Sequence, residues 1–147
     1  MLNVGEQIPN VKLLSEEGNE VELASFLGKK LVIYFYPKDG SPGCTKEACE
    51  FRNEYSKFMK LGAEIIGISG DGPDSHRFFK SKNSLPFILL SDAKGEARRA
   101  FRIGKTLGLI DSRVTFVVDE KGKVQYTYNS QFRPQEHIRR ALEFLSK

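Results

Sequence analysis

Cysteine is scarce in this chain: two residues in 147, beside only two histidines. So thin a supply excludes a disulfide framework of the kind that holds small secreted domains together. A bond between the two, Cys44 and Cys49, would close a very short loop and add little stability, because the entropic gain grows with loop length. If that bond forms, chemistry is the better reason for it. Long apolar runs are missing as well. Leu31 to Phe35 falls far short of the roughly 20 residues a bilayer-spanning helix needs. The opening residues, Met1-Leu2-Asn3-Val4-Gly5-Glu6, lack the charged start and apolar stretch of a secretory signal. A soluble intracellular protein without a membrane partner is expected. Charge is not concentrated either. The 23 Lys and Arg against 19 Asp and Glu leave a formal charge of +4, spread along the chain. Arg98-Arg99 and Arg139-Arg140 fall on helix faces expected to be solvated. No basic stripe with interleaved aromatics marks a nucleic-acid surface, although a mild positive field would favour an acidic partner protein.

There is no repeat and no low-complexity segment. With 39% apolar and 29% charged residues, the composition is that of a globular protein, and residues 1–147 are enough for one domain with a real core. Val11 to Leu14 and Val21 to Leu23 read as strands of an N-terminal hairpin, turned by Glu17-Gly18-Asn19. Ala24 to Leu27 reads as one helical turn. Lys30 to Tyr36 is β-branched, aromatic and continuously apolar, the pattern of a strand buried on both faces. A Gly/Pro loop follows. A helix is then predicted from about Cys44 to Leu61, with Ala48, Phe51, Tyr55, Phe58 and Met59 on one apolar stripe. Glu64 to Ser69 is a second buried strand. A helix capped by Asp74 and Ser75 runs to about Lys82, Pro86 to Leu90 is a short strand, and Gly95 to Phe101 a short helix. Val114 to Val118 and Val124 to Tyr128 form a second hairpin, and an amphipathic helix from Gln135 to Leu145 turns Ile138, Leu142 and Leu145 inward. βαβ units closed by a hairpin give an α/β class, a mixed central sheet flanked by helices in the thioredoxin-like order.

The informative segment runs from Tyr36 to Cys49. Cys44 follows the Gly/Pro loop and opens a helix. The first N–H groups of a helix have no internal partner, and with the helix dipole they favour a negative charge placed there. The thiolate is the nucleophilic form of cysteine, so this placement reads as a reactive sulfur, against the plainer reading of a small buried hydrophobe. Cys49 lies five positions on. Five helical steps turn about 140° and rise about 7.5 Å, so the two side chains point to different sides, beyond the roughly 7 Å Cα separation a disulfide tolerates. Either the cysteines are unrelated, or the helix start unwinds to join them, and helix ends open most cheaply. Zinc is disfavoured because the spacing is long and only His76 and His137 remain as ligands. A dithiol oxidoreductase would show C-x-x-C. A Cys–His hydrolase needs a partner histidine, and both histidines lie on predicted helices, where a surface position is usual.

Pro37-x-x-x-Ser41-x-x-Cys44 resembles the active-site signature of peroxiredoxins, and the run YFYPKDGSPGCTKEACEFR is similar to the bacterioferritin-comigratory-protein or peroxiredoxin Q branch. Counterparts of KLVIYFYP, GAEIIGISGD, LPFILLSD, RVTFVVDEKGKV and NSQFRPQEHI extend the resemblance over nearly the whole chain. Ser41 departs from the usual threonine: the hydroxyl is kept, and the missing methyl loosens the loop. The resemblance implies a thiol peroxidase for hydrogen peroxide and organic hydroperoxides. In it Cys44 is the attacking sulfur and Cys49 resolves the product as an intramolecular disulfide. A thioredoxin-type dithiol then recycles the enzyme, without metal or organic cofactor. It also implies Arg113 as the cation at the thiolate; from the residues alone Arg113 is an ordinary strand-end arginine. The chemistry fits. Backbone N–H groups at Gly43 and Cys44, the Ser41 hydroxyl and Arg113 can bind the peroxide oxygens, a guanidinium suiting two oxygens and a sulfur better than an ammonium. Pro37 shields the thiolate and shapes the loop. An internal resolving cysteine needs no second chain, so a monomer is expected. The SGD and NSQFRPQEHI stretches resemble plastid or cyanobacterial members, so the expected setting is a bacterial cytoplasm or, after removal of a transit peptide, a plastid. A peroxide-sensing binding module with the same cysteines, and a structural domain with two inert ones, are the alternative readings.

Overall fold

The computed structural model describes residues 1–147, and its centre is the apolar run predicted to be buried on both faces. Strand β3 (Lys30–Phe35) is buried at every residue after Lys30. It pairs in parallel with β4 (Ala63–Ser69), Ile33 opposite Ile66, and antiparallel with β8 (Val114–Val118), Ile33 opposite Phe116. β4 in turn pairs in parallel with β5 (Ile88–Ser91). The hairpin of β1 (Lys12–Ser15) and β2 (Glu20–Glu22) joins one edge through β5. β9 (Val124–Asn129) closes the other edge against β8. The order across the seven strands is β2-β1-β5-β4-β3-β8-β9. It is the mixed sheet and N-terminal hairpin expected from the sequence.

Strand alternation sends β3 residues to two cores. Leu31, Ile33 and Phe35 pack with Phe116, Leu23 and Phe101 on one face. Val32, Tyr34 and Tyr36 pack on the other with Ala48, Phe51, Phe79, Ile138 and Cys44. This second face is covered by α1 (Pro42–Asn53), α2 (Tyr55–Lys60), α3 (Pro73–Asn83) and α5 (Pro134–Leu145). The short α4 (Glu96–Ala100) lies on the first face, through Ala97. Parallel strands need such crossovers, and the β3–α1–α2–β4 crossover carries Cys44 over the C-terminal end of β3.

Several expectations are corrected. The helix begins two residues early, at Pro42, whose preset φ and missing N–H suit a first helical position. It breaks at Glu54 (φ −100°, ψ 6°), so the stripe changes phase: Ala48, Phe51 and Phe58 are buried, whereas Met59 is 41% exposed. Gly72, not Asp74 or Ser75, occupies the cap of α3. A 3-10 turn spans Leu23–Phe26. A small hairpin, β6 (Lys105–Thr106) with β7 (Ile110–Asp111), lies outside every sequence signal, because two-residue strands carry no periodicity. His76 and His137, expected on the surface, are wholly buried, and so is Arg98 of the pair placed on a solvated face.

Gly67 of β4 shows how tightly the helix-covered face is filled. A Cβ there would lie 2.8 Å from Leu89 Cδ2 and 3.0 Å from Tyr34 Cζ. Gly67→Ala should therefore cost about 1–3 kcal/mol through overpacking, read from the urea midpoint; an unchanged midpoint would show that the Tyr34 ring has room to move.

Candidate active site

Cys44 sits at the third position of α1, after the extended cap residue Ser41. Thr45 makes the first intrahelical bond, to the Ser41 carbonyl. The N–H groups of Gly43 and Cys44 donate to no protein acceptor and remain free at the positive end of the helix. Cys44 is 1% exposed and lies in the same core cluster as Tyr34 and Tyr36.

Arg113, one residue before β8, is brought against it. Its Nη2 lies 3.5 Å from Cys44 Sγ, its Nη1 donates to Glu47 Oε1 at 2.6 Å, and its Nε donates to the Gln131 carbonyl at 3.2 Å. Each guanidinium nitrogen thus has a partner, and only the Cys44 side points toward the helix start. The Arg113 N–H donates to Gln131 Oε1, which also accepts from Thr106. Gly43 is the close-approach position: a Cβ there would lie 3.1 Å from Arg113 Nη2.

Glu47 was not singled out by the sequence, although it falls three positions after Cys44, the spacing of helix neighbours on one face. It is fully buried. Burial pushes its carboxyl up to about 8, against the downward pull of the Arg113 charge and hydrogen bond. His137 lies behind it, Nδ1 3.8 Å from Glu47 Oε2. Burial holds that imidazole down at about 4, so it is neutral at physiological pH. Its Nε2 donates to the Ser130 carbonyl at 2.8 Å, which leaves Nδ1 to accept from Thr115 Oγ1 at 2.8 Å. Burial lowers the proton affinity of Arg113, but Glu47 and Cys44 together outweigh it and leave that affinity above the ordinary arginine value.

The loop before α1 is fastened separately. The Ser41 hydroxyl donates to the Lys38 carbonyl at 3.0 Å, so toward any ligand it is left as an acceptor. Pro37 is half-buried at the end of β3. Asp39 accepts from Tyr36 (2.6 Å) and Ser75 (2.9 Å) and lies 2.6 Å from His76 Nδ1, while its N–H donates to Asp71 Oδ2 at 2.8 Å. His76 Nε2 donates to the Leu90 carbonyl at 3.1 Å. Ligand atoms of Asp39, Asp71 and His76 lie within 4.8 Å of one another. Their hydrogen bonds are made to each other and to neighbouring groups, so the cluster serves as a fastening for the loop. Arg98 ties the two sides of the site together, donating to the Tyr36 and Ser112 carbonyls at 3.1 Å each and lying over the Phe35 ring.

Cys49 points away from all of this. Its thiol donates to Asn83 Oδ1 at 3.6 Å on α3, and both cysteines are free. The structure brings Cys44, Gly43 and Arg113 together, places Ser41 and Pro37 on the adjoining loop, and leaves Cys49 on a different side of the same helix.

A buried helix-start sulfur facing a held arginine, on a thioredoxin-like sheet, defines the class of thiol-reactive proteins that the comparisons identify. The AhpC/TSA family pattern matches residues 4–127. A chloroplastic peroxiredoxin Q of Populus jackii is 47% identical over 145 residues, 98% of this chain and 68% of that protein. A putative chloroplastic peroxiredoxin Q of Oryza sativa subsp. indica is 49% identical over 142 residues, and the chain spans 65% of that relative's length. A peroxidoxin, BcpB, from Mycobacterium tuberculosis superposes with a TM-score of 0.91 at 32% identity, over 99% of this chain and 97% of that one. A Xanthomonas campestris peroxiredoxin Q gives 0.85 at 33%, over 92% and 89%. The chain belongs to the AhpC/TSA family, in its peroxiredoxin Q branch.

Two outcomes follow from the site. Gly43→Ala should displace Arg113 and slow oxidation of Cys44 by hydrogen peroxide by at least about tenfold, short of the roughly hundred- to thousand-fold cost of deleting a donor outright. An unchanged stopped-flow rate would show that the guanidinium acts elsewhere. For Glu47 the folded carboxyl keeps its proton up to about 8, above the ordinary 4.5. Its stabilising contribution is fully present below the ordinary value and is lost as pH rises through about 8. Glu47→Gln, which cannot ionise, should therefore gain stability relative to the parent between pH 5 and 8. A constant difference in urea midpoint over that range would mean that Glu47 is already ionised at pH 5.

Proposed function

We propose that this protein is a thiol-dependent peroxidase for hydrogen peroxide and organic hydroperoxides. The observation that carries the reading is the Arg113 Nη2–Cys44 Sγ contact of 3.5 Å beside the free N–H groups of Gly43 and Cys44. The Cys44 thiolate attacks the terminal oxygen of the hydroperoxide in line with its O–O bond. An S–O bond forms, the O–O bond breaks, and the leaving oxygen departs as alkoxide or hydroxide and takes a proton. Arg113 and the helix-start donors stabilise that developing charge. Ser41 accepts the hydroperoxide O–H, and Pro37 keeps water from the sulfur. One solved relative, the bacterioferritin comigratory protein of Xanthomonas campestris, has alkyl peroxide reduction activity, which supports organic hydroperoxides as substrates here.

Cys44 is left as a sulfenic acid, the first rung of cysteine oxidation. Cys49, deprotonated, then attacks the sulfenic sulfur: the S–S bond forms, the S–O bond breaks, and the leaving hydroxide takes up the proton that Cys49 gave up and departs as water. A thioredoxin-type dithiol restores both thiols by exchange. Beyond the peroxide, the first two steps use only sulfur, donors and a cation that the chain itself carries; the third takes its two electrons from the external dithiol. We take residues 1–147 as one domain and a monomer as sufficient, since both cysteines lie on α1. A bacterial cytoplasm or a plastid is the setting that the relatives support, and no helix is long and apolar enough to cross a membrane.

Cys44→Ser should abolish turnover with peroxide and a thioredoxin system; substantial remaining turnover would remove this mechanism. Arg113→Ala should slow the first oxidation about a hundred- to a thousand-fold. A change below about fivefold would assign the arginine to structure alone.

A further inference from the structure

The resolving step needs the Cys49 sulfur to reach Cys44, and the structure holds it against α3 instead. Its Sγ donates to Asn83 Oδ1 at 3.6 Å. The orientation of that amide is decided by its other end: Asn83 Nδ2 donates to the Phe79 carbonyl at 3.0 Å, so the carbonyl oxygen must face the thiol. The same residue is gripped from α1 a second time, because Arg52 Nη1 donates to the Asn83 main-chain carbonyl at 2.8 Å. Cys49 and Arg52 lie three apart on α1, on one face, and both bonds end on the last residue of α3.

We propose that Asn83 is a positioning residue for the resolving cysteine. It keeps the Cys49 sulfur tied to α3 while Cys44 meets peroxide, and its release, together with that of Arg52, accompanies the unwinding of α1. Resting on the reading of Cys49 as the resolving sulfur, this makes the Asn83 contact a brake on resolution. The brake lengthens the life of the Cys44 sulfenic acid and so sets how much of it is carried on to sulfinic acid at high peroxide.

The test is stopped-flow oxidation of the reduced protein, which separates the first oxidation from disulfide formation, with mass spectrometry of the products. Asn83→Leu should leave the first step within about twofold of the parent and speed resolution about two- to tenfold, the effect of losing one hydrogen bond. The sulfinic fraction at a given peroxide dose should fall. In a Cys44→Ser background the same substitution should speed alkylation of Cys49 by iodoacetamide, a readout that simple loosening of distant packing would not move. Arg52→Leu, which leaves the thiol contact alone, should speed resolution without changing the first step. Resolution unchanged or slowed in Asn83→Leu, with the first step intact, overturns the inference. If Asn83→Leu loses the first step through misfolding, unchanged resolution in Arg52→Leu overturns it instead. Absence of a Cys44–Cys49 bond in the oxidised parent would overturn the role of Cys49 itself; its presence, with unaltered resolution in both variants, would overturn only the role of Asn83.

Discussion

The contact between the Arg113 guanidinium and the Cys44 sulfur exists only while the first turn of α1 is intact. Cys44 is brought to Arg113 by its place as the third residue of a helix that Pro42 begins, and the free N–H groups of Gly43 and Cys44 exist because that turn is wound. The same winding sends Cys49 to α3, toward Asn83. Under the proposed function, the arrangement suited to attack is therefore incompatible with resolution, and a sulfur pair five positions apart can join only if the helix gives up the turns that organise the first step.

The fastening of the site follows from this requirement. Arg113 is oriented by Glu47 from α1 and by Gln131 from the segment before α5, so its position depends on α1 being in place as much as the sulfur does. Unwinding α1 removes Cys44 and the Glu47 anchor together. Asp39, on the preceding loop, is instead bound to Tyr36, Ser75, His76 and Asp71, all outside α1. The loop that carries Pro37 and Ser41 thus keeps its attachment when the helix start opens.

Much of the frame was legible because its signals are local. The continuous apolar runs at Leu31 to Phe35 and Ile65 to Ile68 announce strands buried on both faces, and the Gly/Pro loop before Cys44 announces a helix start. The opposing directions of Cys44 and Cys49 follow from helix geometry alone. What escaped is decided by partners distant in sequence. Arg98 looks like a surface arginine in Glu96-Ala97-Arg98-Arg99, and it is buried because the Tyr36 and Ser112 carbonyls await it. His76 and His137 occupy helices whose exposed faces would suit them, yet Asp39 and Thr115 draw them in. The break at Glu54 is invisible in a stripe that runs from Ala48 to Met59 without a helix breaker. Glu47 had a usable signal, its three-residue spacing from Cys44, but nothing nearby to say that an arginine 66 positions on would meet it.

The claim that attack and resolution demand different states of one helix is tested most directly by hydrogen exchange across residues 44 to 55, in the reduced protein and after one equivalent of peroxide. Protection of this segment is expected in the reduced state and its loss in the oxidised state, with the Cys44–Cys49 bond located by mass. Equal protection in both states, with that bond confirmed, would contradict the account.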